Sequence, residues 1–242
     1  MAEKIILVLC TSGRRLKVAV SAGGRISQAQ KKEFNQERVL FPVIKRELEK
    51  HGAELRGVDT VCAARGPGRF TGIRISLTLA GTLKALAGVR VYTATLFEIL
   101  ALQAFESAHF GAWAGPGKTR LAVLVHAFKD EYFCQFFLAG GPRAPRPEGG
   151  PVWLKAEEIR KLLAGAGAPL YVIADAEEEP GIYSLAPGNA VKAAASLSKI
   201  LPAYIIKAAL LHKNQTLKPL YLKPAKYETA IGNREAGIRR RG

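Results

Sequence analysis

The sequence has few acidic residues and little cysteine. Its 242 residues include 20 Asp and Glu against 36 Lys and Arg, which gives a formal net charge of +16. The three cysteines, Cys10, Cys62 and Cys134, lie in apolar segments and form no closely spaced pair. An odd number of separated cysteines argues against a disulfide framework. We therefore expect buried free thiols in a cytoplasmic protein.

Long apolar runs and closely spaced histidines are also missing. Lys84, Arg90 and Glu98 interrupt the longest apolar stretches, so none reaches the roughly 18 residues that cross a bilayer. The run Ile5–Cys10 is shorter than the ~7–15 residue core of an export signal and favours a buried strand. No two of the four histidines are three or four residues apart, which excludes a helical zinc-protease motif. We predict no membrane association, no metal site and no cofactor.

The basic residues are concentrated towards the two ends of the chain. Residues 1–120 hold 19 basic and 9 acidic residues, residues 121–206 hold 8 and 9, and residues 207–242 hold 9 and 2. A basic surface raises the rate of encounter with polyanions such as nucleic acids, but it does not define a fold. The run Arg239–Arg241 is by default a solvated tail, with contact to tRNA phosphates as the alternative.

Two parts of the chain show the same order of strand, turn, strand and paired glycines. The first has strands at Ile5–Cys10 and Leu16–Val20, with Lys17 on the alternate face, and the second has strands at Leu121–Phe128 and Tyr132–Leu138. Both are followed by alternating helices and strands. This duplication predicts an α/β fold with two facing lobes, which is the actin-like or ASKHA (ribonuclease H-like) architecture.

We predict an N-terminal lobe over 1–108, a degenerate C-terminal lobe over 119–226 and a flexible basic tail over 227–242. Residues 108–118, rich in glycine, are expected to form a linker. Further predicted elements are helices at 37–50, 71–87, 96–107, 155–163 and 202–212, strands at 25–31, 58–64, 90–93 and 170–174, and loops at 140–150 and 175–189.

The sharpest local motif runs from Arg65 to Arg74, at the predicted junction of a strand and a helix. Gly66 and Gly68 allow a tight turn there, and Thr71 is a candidate N-cap. Free backbone amides at the helix start, with Arg65 and Arg69, could hold an anion. The alternative is a capped structural turn, and the spacing does not match a P-loop. The helix that follows is apolar on nearly every side, so we expect it to be covered by the core or by a partner.

In a two-lobed ATPase, the first turn of each lobe faces the cleft and supplies a carboxylate for the metal. The corresponding positions here are Cys10 and His126, and neither is a carboxylate. Asp130 and Glu131 are the nearest acids, and solvated turn residues are the simpler interpretation. This argues against phosphoryl transfer by the chain itself.

The segment Arg65–Ile75, RGPGRFTGIRI, resembles the signature of the TsaB (YeaZ) family. Weaker landmarks of that family are Ile6–Ser12, Phe41-Pro42 and Lys218–Lys223. The resemblance implies a two-lobed protein without catalysis of its own. It further implies pairing with a TsaD-like catalytic subunit, recruitment of a TsaE-like ATPase, tRNA reached through that complex, and a homodimer in the absence of the partner. The complex makes threonylcarbamoyladenosine in tRNA.

The resemblance places the pairing surface on two helices, over about 36–50 and 70–87. The residues expected to contact the partner are Arg38, Phe41, Ile44, Lys45, Leu48, Phe70, Thr71, Arg74, Ile75, Thr78, Leu79, Thr82 and Leu86. This chain departs from the family where Cys10 replaces an Asp, where Asn35 or Gln36 replaces a His, and near His126, where relatives carry an Asp.

Other functions stay open at this point. One is an ATP-dependent enzyme in a diverged relative of the same fold, and another is an RNA-binding module that depends on the basic ends. A glycoprotease, a function attached to some relatives by name, is disfavoured because paired histidines are missing.

Overall fold

A computed structural model describes residues 3–114, 117 and 119–223. The first half of the chain forms a five-stranded sheet in the order β3-β2-β1-β4-β5. Strand β2 is antiparallel to both of its neighbours, β1 and β3, whereas β4 and β5 run parallel to β1. The strands are β1 (Ile6–Cys10), β2 (Arg15–Ala22), β3 (Arg25–Lys32), β4 (Thr60–Ala64) and β5 (Arg90–Ala94).

The second half repeats this topology strand for strand. Its sheet has the order β10-β9-β6-β7-β8, with an antiparallel meander followed by two parallel strands. The predicted duplicated α/β fold is therefore confirmed. The strands are β6 (Thr119–Phe128), β7 (Glu131–Gly140), β8 (Arg143–Lys155), β9 (Leu170–Ala174) and β10 (Val191–Lys192).

The loop predicted at 140–150 is wrong. Most of this segment belongs to β8, which pairs with β7 through Phe137↔Pro147 and Phe136↔Glu148. Proline and glycine are tolerated in this strand because β8 lies at the edge of its sheet and has register irregularities. The prolines and glycines of β8 made this edge strand resemble a loop in the sequence.

The described part of the chain forms six α-helices beside the sheets. They are α1 (Gln36–Glu49), α2 (Phe70–Ala87), α3 (Leu96–Phe105), α4 (Ala108–Trp113), α5 (Ala156–Ala164) and α6 (Pro202–His212). The linker expected over 108–118 is wrong at its start, because Ser107 caps the short helix α4 through the Phe110 amide at 3.1 Å. The loop expected at 175–189 is confirmed except for a 3₁₀ turn at Ile182–Leu185. None of the helices described is both long and apolar enough to cross a membrane.

The helices and sheets form alternating layers with three apolar cores. Helices α1 and α2 cover the outer face of the first sheet, and α5 covers the outer face of the second. Helices α3 and α6 lie between the sheets in a shared core. Helix α3 packs mainly on the second sheet, and α6 packs on β1, β4 and β5 of the first. Each half therefore contributes a helix to the other half's sheet, α3 from the first half and α6 from the second.

The segment after α6 also returns to the first half. The Thr93 amide donates to Asn214 O at 2.7 Å, and the Leu220 amide donates to Arg65 O at 2.8 Å. We call residues 213–223 the C-terminal strap. Of the residues assigned to the predicted second lobe, helix α6 and the strap as far as Tyr221 thus make contacts with the first half. The predicted tail, 227–242, lies outside the described residues.

Candidate functional site

An open cleft of about 870 Å³ separates the two halves. It lies at the ends of β1 and β6, where each antiparallel pair turns. Cys10 and His126 both line this cleft, as do Lys17, Asp175 and Glu178. The sequence therefore located the two turns correctly.

The two turn positions hold no carboxylate. The Cys10 thiol is buried, and burial raises its pKa, so the reactive thiolate is disfavoured. His126 Nε2 is 2.9 Å from Lys129 O, and its Nδ1 is 4.0 Å from Glu179. Glu131 forms an ion pair with Lys223 at 2.5 Å and does not line the cleft. Among the described residues, no group of three or more His, Cys, Asp or Glu is arranged to hold a metal ion.

Asp175 is a buried cleft residue that sequence reasoning missed. It follows β9 directly, is 3% exposed, and its Oδ1 has no hydrogen-bond partner among the residues that the structure describes. Burial raises the pKa of Asp175 to about 7, although the nearby Lys17 ammonium acts in the opposite direction. The sequence predicts a loop from this residue onward. Its position directly after a fully buried parallel strand was the signal that could have identified it.

Lys17 is a second missed residue. The alternating pattern of β2 placed it on the face opposite Leu16 and Val18, but its side chain is also buried. Its Nζ donates to Glu177 Oε2 at 2.5 Å and to Ile200 O at 2.9 Å. The alternation failed because both faces of β2 are covered, one by α1 and the other by the second half.

The glycine motif brings two stretches of backbone into close contact. A Cβ on Gly68 would lie 2.4 Å from Ser12 O, and one on Gly72 would lie 2.0 Å from Thr11 O. Thr11 Oγ1 donates to Gly72 O at 2.5 Å, and the Arg69 amide donates to Ser12 O at 2.8 Å. The glycines of this motif therefore serve to seat the start of α2 on the turn after β1.

The predicted roles around this motif change accordingly. Helix α2 begins at Phe70 with Arg69 as N-cap, so the assignment of Thr71 as N-cap is wrong. The arginines contact different neighbours. Arg69 lies over Phe34, Arg74 lies 3.8 Å from the centre of the Phe70 ring, and Arg65 Nε is buried without a partner. The Arg69 amide is already bonded within the protein. Anion binding by Arg65, Gly66, Gly68 and Arg69 stays a prediction.

The predicted pairing residues divide into an exposed and a buried group. Ile44 and Leu48 are 1% exposed and Leu79 is 8% exposed, all in the core beneath α1 and α2. Their assignment as surface contacts is corrected, because their helical positions face the sheet. Ile75 is half-buried. The exposed members are Arg38, Phe41, Lys45, Phe70, Thr71, Arg74, Thr78, Thr82 and Leu86.

We call the exposed faces of α1 and α2 the helical face. On α2 it forms a stripe at helical spacing, from Thr71 through Ile75, Thr78 and Thr82 to Leu86. A shallow groove of about 140 Å³ separates the starts of the two helices. The C-terminal strap borders α2, where Tyr221 stacks on Phe70 with ring centroids 4.9 Å apart. The strap thus leaves the stripe open and covers a neighbouring part of α2.

Known proteins resemble this chain in sequence and in fold. A family model for TsaD, tRNA N6-adenosine threonylcarbamoyltransferase, matches residues 25–127. The tRNA threonylcarbamoyladenosine biosynthesis protein TsaB of Buchnera aphidicola subsp. Schizaphis graminum is 32% identical over 126 residues. That match covers 51% of this chain and 55% of the TsaB protein, so it extends over about half the length of that relative.

Two solved structures from Pseudomonas aeruginosa share the fold across the chain. YeaZ gives a TM-score of 0.68 at 21% identity, covering 90% of this chain and 100% of that one. A protein described as similar to peptidase YeaZ gives a TM-score of 0.69 at 22% identity, covering 91% and 100%.

The duplicated sheets and the cleft between them define an α/β protein of the actin-like ASKHA class. Within that class, the sequence match to TsaB and the fold shared with YeaZ agree with the RGPGRFTGIRI motif. The chain is therefore similar in sequence to a TsaB protein of tRNA threonylcarbamoyladenosine biosynthesis over about half of its length, and it shares the fold of YeaZ.

Proposed function

We propose that this chain is a non-catalytic subunit of a tRNA threonylcarbamoyladenosine-modifying complex and binds a TsaD-like catalytic subunit through the helical face. The observation that carries the proposal is the set of large apolar side chains exposed there. Leu86 is 83% exposed, Phe41 is 54% and Phe70 is 52%. Recruitment of a TsaE-like ATPase, contact with tRNA through the complex and a cytoplasmic location belong to the same proposal.

The chemistry of the helical face suits an interface with a second protein. Burying one large apolar side chain contributes roughly 1.5–3 kcal/mol, so three such residues would supply a substantial part of the affinity. The threonines of the α2 stripe are small enough to let another helix approach closely. Arg38 and Lys45 on α1 are also exposed and would form part of a polar rim. Without the partner, the same face could pair with a second copy of the chain.

The cleft supports the non-catalytic part of the proposal. Its two turns carry Cys10 and His126 where metal-dependent phosphoryl transfer would need a carboxylate. Asp175 is buried at the cleft, and burial raises its pKa although the Lys17 charge acts in the opposite direction. We therefore expect the isolated chain not to bind Mg-ATP at millimolar concentration, which equilibrium dialysis would measure.

Co-purification with the TsaD-like protein of the same source tests the proposal. Size exclusion with light scattering should show a stable one-to-one complex for the wild type. The variant Leu86→Glu should lose it, because a charge would replace an apolar contact. Leu211→Glu on α6 is the matched control, since Leu211 is also an exposed helical leucine. An unchanged complex with Leu86→Glu and Phe41→Glu combined would reject this face as the interface.

A further inference from the structure

An acidic loop from the second half reaches across the cleft to the β1–β2 turn. Glu177, Glu178 and Glu179 follow Asp175 in the loop after β9. The Glu178 carboxylate accepts hydrogen bonds from two consecutive backbone amides, Arg14 N at 2.8 Å and Arg15 N at 3.3 Å. Two adjacent amides directed at one group form the concave arrangement that binds anions in proteins.

The residue before these amides leaves room for the carboxylate. A Cβ on Gly13 would lie 2.7 Å from both Cδ and Oε1 of Glu178. Gly13 has no positive φ, so the conformation of the turn itself does not call for glycine. The space above Gly13 is therefore occupied by a group from the other half of the protein.

Glu177 joins the same two halves by a separate set of contacts. Its carboxylate accepts from Lys17 Nζ at 2.5 Å and from Gln30 Nε2 at 2.9 Å, and its carbonyl accepts from Arg15 Nη1 at 3.2 Å. Burial raises the pKa of Glu177, but these hydrogen bonds and the Lys17 charge outweigh it and hold the pKa below its usual value. Glu177 thus stays ionised and paired with a lysine that is itself buried.

Basic side chains outnumber acidic ones around this position. The cleft is lined by Arg14, Arg15, Lys17, Lys32, Arg69 and Lys129, against Glu33, Asp175 and Glu179 besides Glu178 itself. A carboxylate and a phosphate group both present two oxygens to a pair of amides, so each satisfies the same donors. In this chain the two amide donors, Arg14 and Arg15, already bind the Glu178 carboxylate.

We propose that the β1–β2 turn is a phosphate-class anion site that the chain fills with its own Glu178. Together with Glu177, this internal ligand latches the two halves together and excludes phosphate-bearing ligands from the turn. The inference concerns the cleft and does not require the proposed partner on the helical face.

Pyrophosphate is the probe for the test. The full chain is titrated without metal while the amide resonances of Arg14 and Arg15 are followed by NMR. Glu178→Ala should bind pyrophosphate about tenfold or more tightly than the wild type, since a charge-assisted pair of hydrogen bonds becomes free. The shifts should centre on the Arg14 and Arg15 amides. Gly13→Ala should weaken the hydrogen bonds from the Arg14 and Arg15 amides to Glu178 without changing the charge. The Arg14 and Arg15 resonances should then differ from those of the wild type before any ligand is added.

Glu179→Ala is the matched control, because it removes the same charge from the same loop and Glu179 also lines the cleft. Equal affinities for Glu178→Ala and Glu179→Ala would overturn the proposal, since general electrostatics would then explain both. Wild-type affinity equal to that of Glu178→Ala would overturn it as well. Should Glu178→Ala not fold, Glu178→Gln gives the same comparison with a smaller gain. Complex formation by these variants is a separate readout, so failure here leaves the proposed function untouched.

Discussion

The two halves of the chain share one strand order but differ after the first parallel strand. In the first half, β4 is followed by α2, an 18-residue helix that leads to β5. In the second half, β9 is followed by a loop with a single 3₁₀ turn before β10. The first half therefore presents a helix to the outside at this position. The second half instead sends an acidic loop across the cleft.

This difference assigns the two halves separate tasks. The helix of the first half carries the exposed stripe that we propose as an interface. The loop of the second half carries Asp175, Glu177 and Glu178, which face the first half. In this duplicated fold, the first half thus exposes a helix to solvent, whereas the second half places an acidic loop against the first half.

The largest loss of stability is expected from a substitution where α2 meets the turn after β1. Gly72→Ala would place a Cβ 2.0 Å from Thr11 O, a backbone atom that cannot move aside. We expect a loss of about 3 kcal/mol or more in the free energy of unfolding, measured in a denaturant titration. The control is Gly111→Ala in α4, where an added Cβ meets nothing within 4 Å. A Gly72→Ala protein as stable as the control would show that this junction is not tightly packed.

Asp175 makes the stability of the protein depend on pH. Its pKa rises from 3.8 to about 7 on folding, so the folded state holds a proton that the unfolded state has released. Its contribution is fully present below about pH 4 and is lost as the pH rises to about 7. Asp175→Asn should therefore be more stable than the wild type at pH 8, by a few kcal/mol, and the advantage should shrink towards pH 5. An equal difference at both pH values would contradict the buried, protonated acid.

Replacing Lys17, the buried lysine of the cleft, should lower the stability by a smaller amount. Lys17→Met keeps most of the apolar stem but removes the ion pair with Glu177, which leaves that carboxylate with Gln30 and Arg15. We expect a loss of about 1–3 kcal/mol in unfolding free energy. Lys161→Met is the control, because its ion pair with Glu157 is exposed at 4.0 Å and contributes little. Similar values for the two variants would show that the cross-cleft pair adds no stability.

The sequence was sufficient for the architecture because the repeated pattern is local. Apolar strands, turn glycines and helix periodicity can be read within a few residues, and they identified both copies. The positions of Cys10 and His126 at the cleft followed from that repeat. Edge strand β8 was not predicted as a strand, because its prolines and glycines are typical of a loop.

The two buried charged residues of the cleft, Asp175 and Lys17, were not predicted for a different reason. Whether Asp175 and Lys17 are buried depends on how the second half packs on the first, and no local pattern encodes that packing. The same holds for Ile44, Leu48 and Leu79, because the resemblance named two helices but did not indicate which of their faces are exposed. Only the tertiary structure shows which residues of these helices are exposed in the stripe and which are buried in the core.

The smallest effect concerns the C-terminal strap. Arg74 Nε donates to the Tyr221 hydroxyl at 2.9 Å, and the Tyr221 ring stacks on Phe70. Tyr221→Phe removes only the hydrogen bond and should cost about 0.5 kcal/mol in unfolding free energy, whereas Tyr221→Ala also removes the stack and should cost about 1–1.5 kcal/mol. Denaturant unfolding of both variants separates the two contributions. If the strap holds α2 in place for the partner, Tyr221→Ala should also weaken the complex, and Tyr221→Phe should weaken it less. Equal weakening by both would instead assign the effect to the Arg74 hydrogen bond, so that a polar contact rather than the aromatic stack would position the start of α2.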